Sequence, residues 1–329
     1  MRAAIVTRYG SPDVIEVRDV PKPVAAAGEL LVRVHAATVN RTDCGELAPH
    51  PPLLGNIMFG LTRPRRQIFG LDFAGVVAAV GVGVTAFKLG DRVCGMCPFR
   101  KNGAHAEYVC VPSSGAVALV PDNVELANAV VCEGAYYADA GLKQFSIGPS
   151  SKVMVYGASG AIGSAAVQLA KAYGAKVTAV VATPHLQMAR SLGADHVVDY
   201  TREDFTRGEG GFDYVFDAVG KESFFRCRRL LKPDGAFAST DMGPGGENLM
   251  LILWSALARK HRVSVPLQKR ANLPAFMSEM RARLQDGKFR AVVDRRYPLE
   301  SIADAYRYVE TGQKVGIVVI DVAPERRAA

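Results

Sequence analysis

The stretch 152–177, KVMVYGASGAIGSAAVQLAKAYGAKV, constrains this chain more than any other, because a strand pattern, a glycine-rich turn and a helix pattern follow one another within it. Val153, Met154, Val155 and Tyr156 form a short apolar run with β-branched members, as a parallel strand covered on both faces should. Gly157 ends the run, and Ala158, Ser159, Gly160, Ala161, Ile162 and Gly163 follow. The small residues Ala158, Gly160 and Gly163 leave room for a pyrophosphate to approach the first free N–H groups of the next helix, whose dipole favours negative charge. The amphipathic stretch 165–173 supplies that helix, and Gly174 its cap. Strand before and helix after make this a dinucleotide-binding unit, against the plainer alternative of an ordinary tight turn.

The 329 residues, 49% of them hydrophobic, suffice for about two domains. Short alternating or apolar runs at 3–7, 29–36, 74–80, 91–95 and 106–111, broken by Gly and Pro, predict a β-rich domain over 1–123. From 124 to 287 strand and helix patterns alternate, with strands at 176–181, 196–198, 212–217, 236–239 and 262–265 and helices near 186–192, 224–231 and 274–284. That alternation predicts a doubly wound parallel sheet. Residues 288–329 return to the first pattern, with a helix at 302–311 and a strand at 315–320, and are assigned to the β-rich domain. The segment 47–67, with its five prolines and glycines Pro49, Pro51, Pro52, Gly55 and Gly60 before Pro64, reads equally as a substrate-covering loop or as a short core-packed helix built on Leu53, Leu54, Ile57, Met58, Phe59 and Leu61.

Several classes of function are set aside. No apolar run approaches the ~20 residues of a membrane helix, and the first residues alternate like a strand, so a cytoplasmic protein is expected. Six scattered cysteines read as reduced thiols, and Cys94-x-x-Cys97 lacks the second ligand pair of a structural zinc site. The net charge of +8 is spread over separate basic clusters without interleaved aromatics, which argues for a solvated surface and against nucleic acid.

Several stretches together resemble the medium-chain dehydrogenase/reductase superfamily in its zinc-independent, quinone-oxidoreductase-like branch: RYGSPDVIEV from Arg8, GELLVRVHAATVNRTD from Gly28, GLDFAGVVAAVGVGVTAFKLGDRV from Gly70, GAHAEYVCVP from Gly103, LGADHVVDY from Leu192 and FDYVFDAVG from Phe212. The resemblance implies an α/β chain with a GroES-like catalytic domain beside a Rossmann domain, hydride transfer between them and pairing into a homodimer through a Rossmann sheet edge, for which 262–265 is the candidate. Catalytic zinc needs three protein ligands such as Cys, His and Cys. Where the zinc branch has C-x-[ST]-D this chain has Asn40-Arg41-Thr42-Asp43, and where it has G-H-E this chain has Gly70-Leu71-Asp72. Cys132 and Glu133 near the third position stand without partners, so no metal is expected.

The resemblance also suggests site residues. No acid occurs over 180–185 after the second strand, where an NAD-specific site would place one for the ribose, and Thr183, His185 and Tyr200 are candidates for a 2′-phosphate; NADPH is the expected cofactor. His185 reads equally as a surface residue opening a helix. Asp241 and Met242, after the 236–239 strand, are candidates for nicotinamide contacts, and Lys314 for the phosphates or else an exposed charge. Asn40 is either a hydrogen-bond donor to a substrate carbonyl or the cap of a turn; Thr42 is either a proton relay or a buried structural hydroxyl. Asp43 is expected to fix loop N–H groups. Tyr136, with Tyr137 beside it, is placed by the resemblance on the helix facing the nicotinamide, with core packing as the alternative.

These observations predict an NADPH-dependent oxidoreductase that reduces a quinone or an α,β-unsaturated carbonyl, a small-molecule substrate. Interconversion of a dedicated carbonyl and alcohol, and cofactor binding without turnover, are the rival readings.

Overall fold

Alternation in the amino-terminal segment is expressed as strands in the computed structural model, which describes residues 1–49, 59–98, 101, 103–241, 247–258, 262–266 and 272–323. β1 (Arg2–Val6) and β2 (Ile15–Asp19) form an antiparallel ribbon. β3 (Glu29–Val39) is the spine of the first sheet; β4 (Asp72–Val80) lies antiparallel along it, β5 (Arg92–Met96) pairs with β4, β6 (Tyr108–Pro112) returns to the start of β3, and β7 (Val117–Leu119) pairs with β5. α1 (Arg41–Leu47) leaves the end of β3 through Asn40. α2 (Leu126–Ala129) packs on β3, β4 and β5.

α3 (Cys132–Gln144) carries the chain into a different layer structure. There β8 (Lys152–Tyr156), α4 (Ala161–Ala172), β9 (Lys176–Val181), α5 (Leu186–Ser191), β10 (His196–Asp199), β11 (Phe212–Asp217), α6 (Phe224–Cys227), β12 (Leu231–Ser239), α7 (Glu247–Ala258) and β13 (Arg262–Ser264) alternate. The six strands are all parallel in the order β10-β9-β8-β11-β12-β13, which is a Rossmann sheet. Its strands are near-continuous apolar runs because both faces are covered; Val153, Val155, Val177, Val215, Phe216 and Phe237 have no exposure. Strand order reverses between β8 and β11, the place where such sheets bind ligands.

The chain then returns. α8 (Leu273–Gln285) packs against β7, β14 (Val293–Pro298) and β15 (Ile317–Asp321) run parallel with α9 (Ile302–Glu310) between them, and β15 pairs antiparallel with residues 36–39 of β3, completing a seven-stranded GroES-like sheet. Leu30, Val32, Phe73, Tyr306 and Val318 form its core. By contacts the chain divides into Met1–Glu133 with Ala271–Ala329, and Gly134–Arg270. These limits differ from 123 and 288: α2 and α8 pack on strands of the first unit. α4 likewise begins at Ala161, ahead of the amphipathic stretch from 165: its first turn is held by the glycine turn and not by an apolar face.

Candidate active site

In the first unit, three segments far apart in sequence converge on a buried carboxyl group. β4 opens with Asp72, which the pleat turns inward. Its Oδ1 accepts the Glu133 backbone N–H at 3.0 Å, and its Oδ2 accepts from the Thr38 hydroxyl at 3.2 Å and, at 3.5 Å, from the Asn40 amide. Asn40 Nδ2 also donates to Thr38 Oγ1 at 2.9 Å. Asn40 is the N-cap of α1 and forms a capping box with Asp43, whose carboxylate accepts the Asn40 N–H at 2.8 Å and the Gly70 N–H at 3.2 Å. Asn40 thus caps α1 while its amide faces the Thr38 and Asp72 side chains. The geometry gives Asp43 the loop-fixing contacts expected of it.

Thr42, the second residue of α1 and half-buried, donates from its hydroxyl to Glu133 Oε1 at 2.5 Å. Glu133 itself is 3% exposed. Burial, with the Asp43 charge adding to it, pushes the Glu133 carboxyl up to about 8. Burial also lifts Asp43 to about 7 against its two backbone donors, and raises Asp72 well above the usual carboxylate range, with Glu133 and Asp43 contributing. The neighbouring imidazole adds no charge: His105 is held near 4 by burial, with Nε2 2.8 Å from the Thr38 carbonyl and Nδ1 3.3 Å from the Tyr306 hydroxyl. Lys314 lies on the same unit, its ammonium donating to the Gly316 carbonyl at 2.7 Å, and burial lowers it to about 8 while Glu133 and Asp294 pull it back up.

Of the positions matched to the zinc-ligand motifs, Asn40 lies beside Asp72, its amide 3.5 Å from Oδ2. Asn40 and the buried Leu71 occupy two of them, and Asp72 is committed to hydrogen bonds. Among the described residues no three His, Cys, Asp or Glu side chains form a metal-binding group, Cys94 and Cys97 included.

In the Rossmann unit, Gly157 takes φ of +74° and its carbonyl accepts the Gly160 N–H at 3.0 Å, so the chain turns directly from β8 into α4. A Cβ on Gly163 would stand 2.1 Å from the Gly157 carbonyl oxygen, whereas one on Gly160 would meet nothing closer than 3.6 Å. The N–H groups of Ala161, Ile162 and Gly163 open the helix, where no helical carbonyl precedes them. The room left at Gly160 beside these donors, with the small Ala158 and Ser159, suits a pyrophosphate, and these residues fit the group. Beyond β11, Asp217 fixes the facing loop by accepting from the N–H groups of Val219, Gly220 and Glu222 at 2.8 to 2.9 Å and from the Ser239 hydroxyl at 3.1 Å. Asp241 follows β12, exposed, with its Cβ against Gly220; Met242 lies outside the described residues.

A cavity of about 380 Å³ opens beside this edge, lined in part by Tyr156, Tyr200, Arg202, Phe205 and Arg226. Tyr200 is 45% exposed, its ring 5.9 Å from that of Tyr156. The Thr183 hydroxyl is engaged within the protein: it donates to Asp199 Oδ2 at 2.5 Å and meets Thr201 Oγ1 at 2.9 Å. That carboxylate, held below its usual range by Thr183 first and Thr201 second, lies outside 180–185 and arrives from the end of the next strand. Its charge is countered by Arg202 at 3.6 Å. His185, half-buried, closes the single turn Thr183–His185.

Of the remaining sequence candidates, Tyr136 is 2% exposed and Tyr137 half-buried, so the first has the burial of a core residue. The apolar residues Leu53, Leu54, Ile57 and Met58 lie outside the described residues, while Leu61 is exposed and Gly60 accepts the Tyr9 hydroxyl at 2.7 Å. Sequence reasoning missed Thr38, Arg202, Asp217 and the role of Asp72; an acid ending each of β10 and β11 was the available signal for that strand edge.

Comparison with known proteins agrees with this architecture. Residues 26–122 match the family model of the alcohol dehydrogenase GroES-like domain, and residues 192–320 that of the zinc-binding dehydrogenases. The chain is 30% identical to a 2-methylene-furan-3-one reductase of Solanum lycopersicum over 98% of its own length and 80% of the relative. It is 29% identical to a chloroplastic NADPH-dependent alkenal/one oxidoreductase of Arabidopsis thaliana over 98% and 80%. The quinone oxidoreductase of Coxiella burnetii shares the fold with a TM-score of 0.84 at 24% identity, over 98% of this chain and 99% of that one. The chain belongs to the medium-chain dehydrogenase/reductase superfamily, in its quinone-oxidoreductase-like branch. It is an NAD(P)H-dependent oxidoreductase of small molecules. No described helix is long and apolar enough to cross a membrane.

Proposed function

We propose that this oxidoreductase uses NADPH, works without zinc and reduces quinones or the activated C=C bond of α,β-unsaturated carbonyls. The observation that carries this reading is the replacement of a metal-ligand set by a hydrogen-bonded cluster, in which Asn40 and Leu71 stand at ligand positions and Asp72 is saturated by Glu133, Thr38 and Asn40. When bound, the reduced nicotinamide supplies a hydride. The protein must then stabilise the oxygen on which charge develops. A neutral hydroxyl such as Thr42 stabilises an oxyanion less than a metal does, so acceptors whose conjugation spreads the charge are the ones this site can serve. Two relatives named as enone-type reductases agree with it.

The NADPH preference rests on His185 and Tyr200, with Arg202 added to them. Thr183 is occupied with Asp199, so His185, Tyr200 and Arg202 are left to receive a 2′-phosphate, and Arg202 is 75% exposed and free to swing from its long contact with Asp199. Fluorescence titrations should give at least tenfold tighter binding of NADPH than NADH, narrowing toward parity in Arg202→Ala; equal affinities in the unaltered protein would remove the preference. Steady-state NADPH oxidation with quinones, enones and simple aldehydes tests the reaction. Turnover of aldehydes without enones would establish the carbonyl reading instead, and tight binding with no turnover the non-catalytic one.

Pairing of two chains is proposed through β13, which ends the parallel sheet and leaves one edge for another strand. Light scattering should return twice the mass of 35.2 kDa; the single mass would exclude it.

A further inference from the structure

Glu133 lies behind Thr42 as seen from solvent. The contact between them is 2.5 Å, the carboxyl is buried and the hydroxyl is half-buried, so a proton leaving Glu133 along this contact passes through Thr42. The Glu133 backbone is pinned by Asp72, which holds the carboxyl in register with α1. Asp43 and Glu46 of α1 and Asp72 of β4 are the acids that face it, and Lys314, ahead of β15, provides the facing cation. Lys314 in turn faces Asp294 of β14 and Cys44 and Arg41 of α1.

We propose that Glu133 is the proton reservoir for Thr42 during reduction, and that Lys314 is the positioning cation that receives the charge Glu133 acquires. The inference rests on the reductase reading and adds two residues to it. The acceptor gains a hydride at carbon from the reduced nicotinamide and one proton at oxygen. As the substrate O–H bond forms, the Thr42 O–H bond breaks; as the Thr42 bond is restored, the Glu133 carboxyl loses its proton and becomes a carboxylate beside the Lys314 ammonium. Solvent returns the proton before the next turnover. A carboxyl held near 8 by its burial is mostly protonated at neutral pH, which suits an acid that must be loaded before each cycle.

Glu133→Gln is isosteric with the protonated acid and keeps the contact with Thr42, so it tests chemistry more than folding. In the unliganded protein, the ¹³C carboxyl resonance that this substitution removes should titrate near pH 8 and shift to higher pH in Lys314→Met, which takes away the cation. Turnover by Glu133→Gln should fall roughly 100-fold with nicotinamide affinity unchanged, and the decline of kcat above pH 8 should disappear. Combined with Thr42→Val it should cost no more than Thr42→Val alone, because both act on one proton path. A Glu133→Gln enzyme that keeps its basic limb, multiplicative losses in the double variant, or a carboxyl titrating near 4 overturns the relay. Absence of any turnover in the unaltered protein overturns the reductase reading and the relay with it; turnover with an unchanged pH profile overturns the relay alone.

Discussion

Gly163→Ala is expected to lower the Tm of the Rossmann unit by several degrees, while Gly160→Ala, three residues earlier, is expected to leave the Tm unchanged and to weaken nicotinamide binding. At Gly163 the new Cβ would lie 2.1 Å from the Gly157 carbonyl oxygen and 2.8 Å from the Ala158 Cα, both backbone atoms that cannot move without displacing β8 from α4. Alanine is favoured over glycine within a helix by about 1 kcal/mol. Forcing backbone apart at such a distance costs about 3 kcal/mol or more, so strain wins. The net loss corresponds to a Tm lower by several degrees, on the order of 2–4 °C per kcal/mol. At Gly160 the Cβ meets only the Gly157 oxygen at 3.6 Å, an ordinary contact, and its φ of −76° suits any residue. A methyl group there projects into the space reserved for phosphate, so nicotinamide affinity should fall at least tenfold, with little change in Tm. Calorimetry and nicotinamide titration of the two variants separate the roles. Equal Tm values would mean that the turn relaxes easily around Gly163 and that its tight packing is not what holds α4 to β8.

Where a residue's role depended on neighbours in sequence, it could be read without the structure. The strands 176–181 and 212–217 occur within the limits their apolar runs suggested, and the glycine turn stands between β8 and α4. Asn40 and Leu71 could also be recognised as non-ligands from the local motif. The candidate-site cluster could not, because its contacts span the chain: Thr38 reaches Asp72 across 34 positions and Thr42 reaches Glu133 across 91. No periodicity encodes such pairs; they follow from β3, β4 and α3 meeting in one fold. The same reason accounts for Thr183. Its hydroxyl looked available beside an acid-free stretch, but β10 runs parallel to β9 and delivers Asp199, 16 residues on, to its side. Short elements such as β2, β7 and α2 escaped because a few residues carry too little pattern, and packing on a larger sheet decides them.

Stability of the first unit should fall as pH rises from 6.5 to 8, opposite to the behaviour of a protein held together by ion-paired carboxylates. In the folded chain Glu133 titrates at about 8, Asp43 at about 7 and Asp72 well above the carboxylate range, whereas all three ionise near 4 when unfolded. Within that window the folded state therefore binds more protons than the unfolded state, and stability declines with pH. Each fully offset group contributes about 1.4 kcal/mol per pH unit, so the cluster should lose roughly 2–4 kcal/mol across the window. Other displaced groups act outside it. His105, lowered to about 4, gains a proton more readily when unfolded and removes stability only below about 6.5; Lys314, lowered to about 8, adds stability only as pH climbs beyond that value. Calorimetric Tm measured at pH 6.5, 7.2 and 8 should drop steadily, and Glu133→Gln with Asp72→Asn should flatten the dependence, since amides keep the shape of the protonated acids. A Tm that is level or rising across this range would mean that Asp72 and Glu133 are ionised in the folded protein. The buried cluster would then hold two carboxylate charges, with Asp72 accepting the Glu133 backbone N–H and Lys314 as the facing cation for Glu133.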